Sequence, residues 1–290
     1  MYLKKENLQS VKDLLLLARL QVEGFLQSLH QSVYTGSGQE FSQYRAYQIG
    51  DDLRQLDWKM YARSNRFYVK EATQERNLNI HFLVDATASM KHQENDISKF
   101  DFLRFLIASL AYLANQQGDT ISLSTISNSQ HTQHFLPKDA HKQLPYLLHQ
   151  LLKIEATGKW GLSTPIKLNP RQATLFILVS DFHEEAEEIQ KSLHKLNLSK
   201  TEILLFHLLT DNELNFNYKA TTLFEDLESK EKVPVNVQQY RPHYLEKVNA
   251  HLDMLKSLFQ SKGMSYQIVN TNESLNNQLR LFLQRRKRLI

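Results

Sequence analysis

The 290-residue chain contains no cysteine, which excludes disulfides, thiolate metal centres and cysteine nucleophiles and fits a reducing compartment. It also lacks a long apolar run. The longest, "FLRFLIASLAYLA" at residues 102–114, carries Arg104 and is shorter than the roughly 20 residues a membrane-spanning helix needs. The opening "MYLKKENLQS" has no apolar core of a secretory signal. Together these absences predict a cytoplasmic protein with no transmembrane segment. Charge of one sign is scarce too: 35 Lys and Arg stand against 31 Asp and Glu, a net charge of +4, which gives little footing for nucleic-acid binding. Neither a Gly-x-Ser-x-Gly elbow nor a Ser-His-Asp order occurs. "TGSGQ" at 35–39 lacks the Gly-Lys-Ser/Thr ending of a phosphate loop and reads as a flexible turn.

What is present suffices for a real core: 41% hydrophobic residues, including 15 Phe and 12 Tyr. Residues 7–32 have helical spacing through Leu14, Leu15, Leu17, Leu20, Val22, Phe25 and Leu29. From about residue 78 onward, apolar strands alternate with helices. Strands are predicted at 79–84, 119–127, 173–182, 201–209 and 265–270, with weaker ones at 134–136 and 233–237. Helices are predicted at 100–116, 140–154, 184–198, 244–260 and 273–284. That alternation predicts an open, mostly parallel α/β sheet. Residues 1–76 break it and are expected to form a separate N-terminal attachment of helix and hairpin, leaving 77–290 as the α/β domain.

Two of the buried strands end in a carboxylate. "HFLVDATASM" at 81–90 runs into Asp85, followed by hydroxyls at Thr87 and Ser89, and "ATLFILVSDF" at 173–182 runs into Asp181. In an open α/β sheet, ligands bind beyond the carboxyl ends of the strands at a switch in strand order. The two carboxylates are therefore expected to converge, with the hydroxyl-bearing loop "GLSTPI" at 161–166 between them in sequence. Such an all-oxygen set suits a hard divalent cation, Mg²⁺ first and Mn²⁺ or Ca²⁺ behind it. A helix cap is the competing explanation of Asp85, Thr87 and Ser89, because these residue types commonly precede helices.

The pattern Asp-x-Thr-x-Ser, a later threonine and a strand-end Asp resembles the metal-ion-dependent adhesion site of von Willebrand factor A domains. Asp85, Thr87, Ser89 and Asp181 match it. Thr164 is the better match for the middle threonine, with Ser163 as the competing assignment. A second resemblance covers Glu40, Phe41, Arg45, Tyr47, Gly50, Asp51, Asp52, Arg54, Asp57, Trp58, Ala62 and Arg63. Twelve positions at that spacing are similar to the hallmark block of the DUF58 family. These resemblances imply a Rossmann-like A-type domain behind a family-specific N-terminal segment. They imply a metal-dependent protein-interaction module, not an enzyme, that works with a MoxR-type AAA+ ATPase in a chaperone-like or assembly role.

Two alternatives are kept. One is a Mg²⁺-dependent hydrolase of phosphate esters, against which Thr87 stands where a second acid is needed. The other is a scaffold with a vestigial site. Segment 51–63 is read either as a partner surface or as an internal ion-pair network. His131 and His134 are read as solvated loop residues, since a third metal ligand is missing nearby. The basic ending "QRRKRLI" at 284–290 is read first as complementing a helix dipole and second as touching an anionic partner such as lipid.

Overall fold

The computed structural model of the chain describes residues 5–34, 44–47, 58–70, 78–128, 133–134, 140–161, 166, 173–195, 201–218, 221–225 and 232–289. They fall into two compact units: Met1–Phe25 with Asn77–Ile290, and Leu26–Arg76. The first 25 residues, however, cluster with the α/β unit instead of with the attachment. In helix α1 (Val11–Tyr34), Leu14, Leu17, Ala18, Val22 and Phe25 are buried, whereas Leu16 and Leu20 are exposed.

The smaller unit contains an antiparallel pair, β1 (Tyr44–Ala46) with β2 (Tyr68–Lys70), around helix α2 (Trp58–Ser64). Tyr61 stacks on Phe67 with centroids 4.4 Å apart, and Trp58 lies edge-on to Tyr61 at 6.3 Å. Most of the predicted hallmark block, including Gly50, Asp51, Asp52, Arg54 and Asp57, lies outside the described residues.

The larger unit is built on a six-stranded sheet. Its strands are β3 (Asn79–Asp85), β6 (Thr120–Ile126), β7 (Gln133–His134), β8 (Thr174–Ser180), β9 (Thr201–Leu209) and β12 (Ser265–Asn270), in the order β12-β9-β8-β3-β6-β7. All neighbours are parallel except the edge strand β7, which runs antiparallel to β6. This is the open, mostly parallel, Rossmann-like sheet that the alternating pattern predicts. Counting only these six strands along the chain, the order is 3-2-1-4-5-6, so it reverses between β3 and β8. Both strands are buried at all seven positions, which is why they read as continuous apolar runs and not as alternating ones.

Helices cover both faces. On one, α3 (Lys99–Gln116) packs against β3 and β6, and α8 (Asn276–Leu289) against β8. On the other, α5 (Ala186–Lys195) and α7 (Val237–Ser261) bring Ile189, Leu193, Leu255 and Phe259 into a core with Leu83, Phe176 and Leu178. Helix α4 (Ala140–Lys153) packs on α3 and β6.

Three local features depart from the sequence reading. The helix expected from residue 244 begins seven residues earlier, at Val237. Asn236 caps it by accepting from Gln239 N at 3.3 Å, and the helix accommodates Pro242 at the loss of one backbone bond. The weak strand β11 (Lys232–Asn236) pairs with β10 (Thr221–Glu225) in a separate hairpin, not in the main sheet. A tight hairpin of β4 (Gln93–Glu94) and β5 (Ile97–Ser98), turning through Asn95 and Asp96 at φ 51° and 64°, was also not predicted. Asn and Asp tolerate that left-handed backbone better than most residues.

The basic C-terminal helix has an internal partner. Arg286 donates to both oxygens of the buried Asp119, at 2.6 and 3.0 Å, and Arg285 donates to Glu202 at 3.0 Å. At these two positions the basic run is an intramolecular ion-pair surface.

Candidate metal centre

Asp85 is the last residue of β3, and Asp181 directly follows β8. The register places Val84 opposite Val179, so the two carboxylates leave adjacent strands at the point where strand order reverses. Asp85 is tightly held: its Oδ1 accepts from Thr87 N at 2.9 Å, and its Oδ2 accepts from Ser180 Oγ at 2.5 Å. Thr87 Oγ1 and Ser89 Oγ are 2.9 Å apart, and Ser89 Oγ donates to Asp181 Oδ1 at 3.2 Å. Four of the five expected ligands thus form one hydrogen-bonded cluster. The fifth, Thr164, and its competitor Ser163 lie outside the described residues. The loop leading to them is tied to the cluster's backbone by Thr157 N to Ala86 O at 2.7 Å and Ala88 N to Gly158 O at 3.0 Å.

The capping explanation fails in this geometry. Thr87 stands at the N-cap of a short 3-10 turn, Ala88–Lys91, but its side chain makes no capping bond. The long helix α3 is instead capped by Ser98, in a capping box with Asp101. Removing that cap by Ser98→Ala is expected to cost about 1 kcal/mol, read as a lower urea midpoint at unchanged slope. A midpoint equal to wild type would show that the box contributes nothing.

The residue that sequence reasoning missed is Lys99. Its side chain is only 2% exposed, and its Nζ donates to Asp181 Oδ2 at 2.6 Å and to Glu213 Oε1 at 2.8 Å. Glu213 belongs to α6 (Asp211–Asn215), where its other oxygen accepts from Thr210 N and Oγ1 in a second capping box. The β4–β5 hairpin delivers Lys99 to the cluster by folding the chain back on itself, with Lys99 N donating to His92 O at 2.9 Å. The Ser98-x-x-Asp101 box was a legible signal that a helix starts here. Nothing in it signals that the first helical residue points inward.

These contacts shift the two acids in opposite directions. Burial, reinforced by the neighbouring Asp181 charge, pushes Asp85 up to about 7 against the hydrogen bonds it accepts. Burial acts on Asp181 in the same sense, but the Lys99 ammonium overcomes it and holds Asp181 below the usual carboxylate range. Lys99 is itself raised, because Asp181 and Glu213 outweigh its burial. Among the described residues no cation pairs with Asp85.

An all-oxygen cluster of two carboxylates and two hydroxyls with an uncompensated buried acid fits a hard divalent cation. Ser89 is partly exposed while Asp85, Thr87 and Asp181 are buried, so the cluster opens to solvent on the Ser89 side. Among the described residues no group of three or more His, Cys, Asp or Glu could hold a metal ion.

A family model described as "Protein of unknown function DUF58" matches residues 43–253. Uncharacterized proteins of Mycobacterium tuberculosis (strain H37Rv) and Mycobacterium bovis are 28% identical over 112 residues. That stretch is 39% of this chain and 35% of theirs, so the chain spans about a third of the length of the curated relatives it matches. Among solved structures, the conserved hypothetical protein BatB from Bacteroides thetaiotaomicron aligns at 8% identity and TM-score 0.43, covering 73% of this chain and all of that one. An aerotolerance-related membrane protein from Bacteroides fragilis aligns at 10% identity and TM-score 0.44, with the same coverage. The VWA domain of SpRpn10 aligns at 12% identity and TM-score 0.38, covering 70% of this chain and 93% of that one.

Proposed function

This chain belongs to the DUF58 family, and from that premise we propose that it is a protein-interaction module whose capture of a partner depends on a divalent cation at Asp85, Thr87, Ser89 and Asp181. The observation that carries the reading is the convergence of two buried carboxylates at the strand-order switch, linked through Thr87 and Ser89, with a resident cation on only one of them. Asp85 and Asp181 would supply negative charge to such an ion, and Thr87 and Ser89 neutral oxygens. A divalent ion bound there supplies an open coordination position that a partner's carboxylate can complete. Ion occupancy and partner binding then stabilise one another by linkage.

The partner proposed is a MoxR-type AAA+ ATPase, on the strength of the resemblance at residues 40–63, with the pair acting in assembly or chaperone-like work. Hydrolysis of phosphate esters is a poorer reading. Thr87 stands where a general acid is needed, and both Asp85 oxygens are engaged by hydrogen bonds.

The test is a pull-down of a purified MoxR-type ATPase from the same genome by the wild-type chain and by Asp85→Asn, with Mg²⁺ and with chelator. Asn keeps the shape of the acid that burial favours in protonated form, so the fold survives. Capture by the wild type in Mg²⁺ alone is expected, with at least about a tenfold loss in the variant or in chelator. Equal capture in all four lanes would defeat the metal-dependent mechanism, and no capture in any lane would remove this partner.

A further inference from the structure

We propose that Lys99 is a resident counter-ion and positioning residue of this site: it keeps the carboxylates assembled when no divalent ion is bound, and it holds the affinity for that ion down so that the ion exchanges. The second half rests on the proposed function; the first does not.

Three observations carry it. Lys99 does nothing for its own helix, because it is the first residue of α3, where a cation opposes the helix dipole. Its burial is instead explained by what it touches. By taking Asp181 Oδ2 at 2.6 Å it leaves Oδ1, the atom that accepts from Ser89, as the oxygen that faces the rest of the cluster. It also ties Asp181 to Glu213, which cannot swing away because its second oxygen is fixed by Thr210 at 2.8 and 3.0 Å.

The third observation is the charge balance. With a divalent ion at the site, Asp85 gives up its proton, and Lys99 brings the three negative charges of Asp85, Asp181 and Glu213 to a net of two, which that ion neutralises. Without Lys99 the net is three, and the attraction for a divalent ion grows accordingly. The metal-free protein then holds Asp181 and Glu213 buried together with no cation between them, an arrangement that opposes folding.

The experiment uses the full chain as wild type, Lys99→Met, Glu213→Gln and the double variant. Mg²⁺ affinity is read by calorimetry, and stability is read by urea denaturation in chelator. Lys99→Met is expected to bind Mg²⁺ about tenfold tighter or more, Glu213→Gln about tenfold more weakly, and the double variant within about threefold of wild type, because its net charge is restored. In chelator, Lys99→Met is expected to unfold at lower urea than either the wild type or the double variant.

A lysine that merely fills space would not order the affinities by charge. Affinity that is unchanged or weaker in Lys99→Met overturns the affinity claim. If Lys99→Met does not fold, the opposite shift in Glu213→Gln and its reversal in the double variant decide the question. No Mg²⁺ heat from any of the four proteins overturns the proposed function. The counter-ion claim is then judged in chelator alone, where equal stability of Lys99→Met and the double variant overturns it.

Discussion

Acidification from about pH 6.5 to pH 4 is expected to lower folding stability, at a slope that reaches at least about 1.4 kcal/mol per pH unit near pH 5. The effect comes from two histidines inside the parallel sheet. Burial pushes His81, in β3, down to about 3 and His207, in β9, likewise. His81 Nδ1 is 2.7 Å from Ser122 Oγ, its ring stacks on Phe176, and its Nε2 has no partner. His207 Nδ1 is 2.7 Å from the Tyr266 hydroxyl, and its Nε2 is likewise unpartnered. Neither ring has room to solvate a second proton.

A lowered histidine contributes stability that is complete above its unfolded value and is lost as pH falls toward the folded value. The unfolded chain therefore takes up two protons in this window that the folded chain refuses. Asp85 works the other way. Pushed up to about 7, it keeps a proton that the unfolded chain releases, and so it favours folding as pH falls. His92, Asp181 and Glu213 are also held below their ordinary values and deepen the loss, so the net difference is at least one proton in the middle of the window. Urea midpoints at several pH values measure it, and a flat or rising stability toward pH 4 would refute the assignment. Replacing either histidine by phenylalanine should remove one of these protons and make the profile shallower.

Asp181→Ala is the substitution with the largest expected effect on the site. It removes the carboxylate that Lys99 approaches at 2.6 Å and leaves a buried ammonium with Glu213 alone. Removing one partner of a buried pair costs about 3–5 kcal/mol, because the surviving charge stays desolvated. Asp85→Asn is expected to be mild in comparison. It replaces an acid that burial favours in neutral form, and the amide oxygen can still accept from Thr87 N. Parallel urea denaturation of the two variants near pH 7 checks this asymmetry. Similar losses would show that Lys99 does not discriminate between the acids.

Much of the fold is legible in the chain because its cause is local. Strands β3 and β8 read as unbroken apolar runs since both faces of each are covered. Their terminal aspartates read as site residues since ligands of an open α/β sheet bind at the carboxyl ends of its strands. The helix begins at Val237, earlier than the chain suggests, because Pro242 looks like a boundary, and of the hairpin only β11 is legible, because β10 offers just the apolar pair Leu223 and Phe224.

The sheet class, the pair of strand-end carboxylates and the Thr87 and Ser89 hydroxyls beside them are all legible in the chain. All of these follow from periodicity or from spacings of a few residues. Only the tertiary structure decided that Asp85 and Asp181 differ. The difference comes from Lys99, 82 positions from Asp181 and 114 from Glu213. A lysine opening an amphipathic helix reads as solvated unless the fold buries it, and only the packed chain brings three such distant charges within hydrogen-bonding distance.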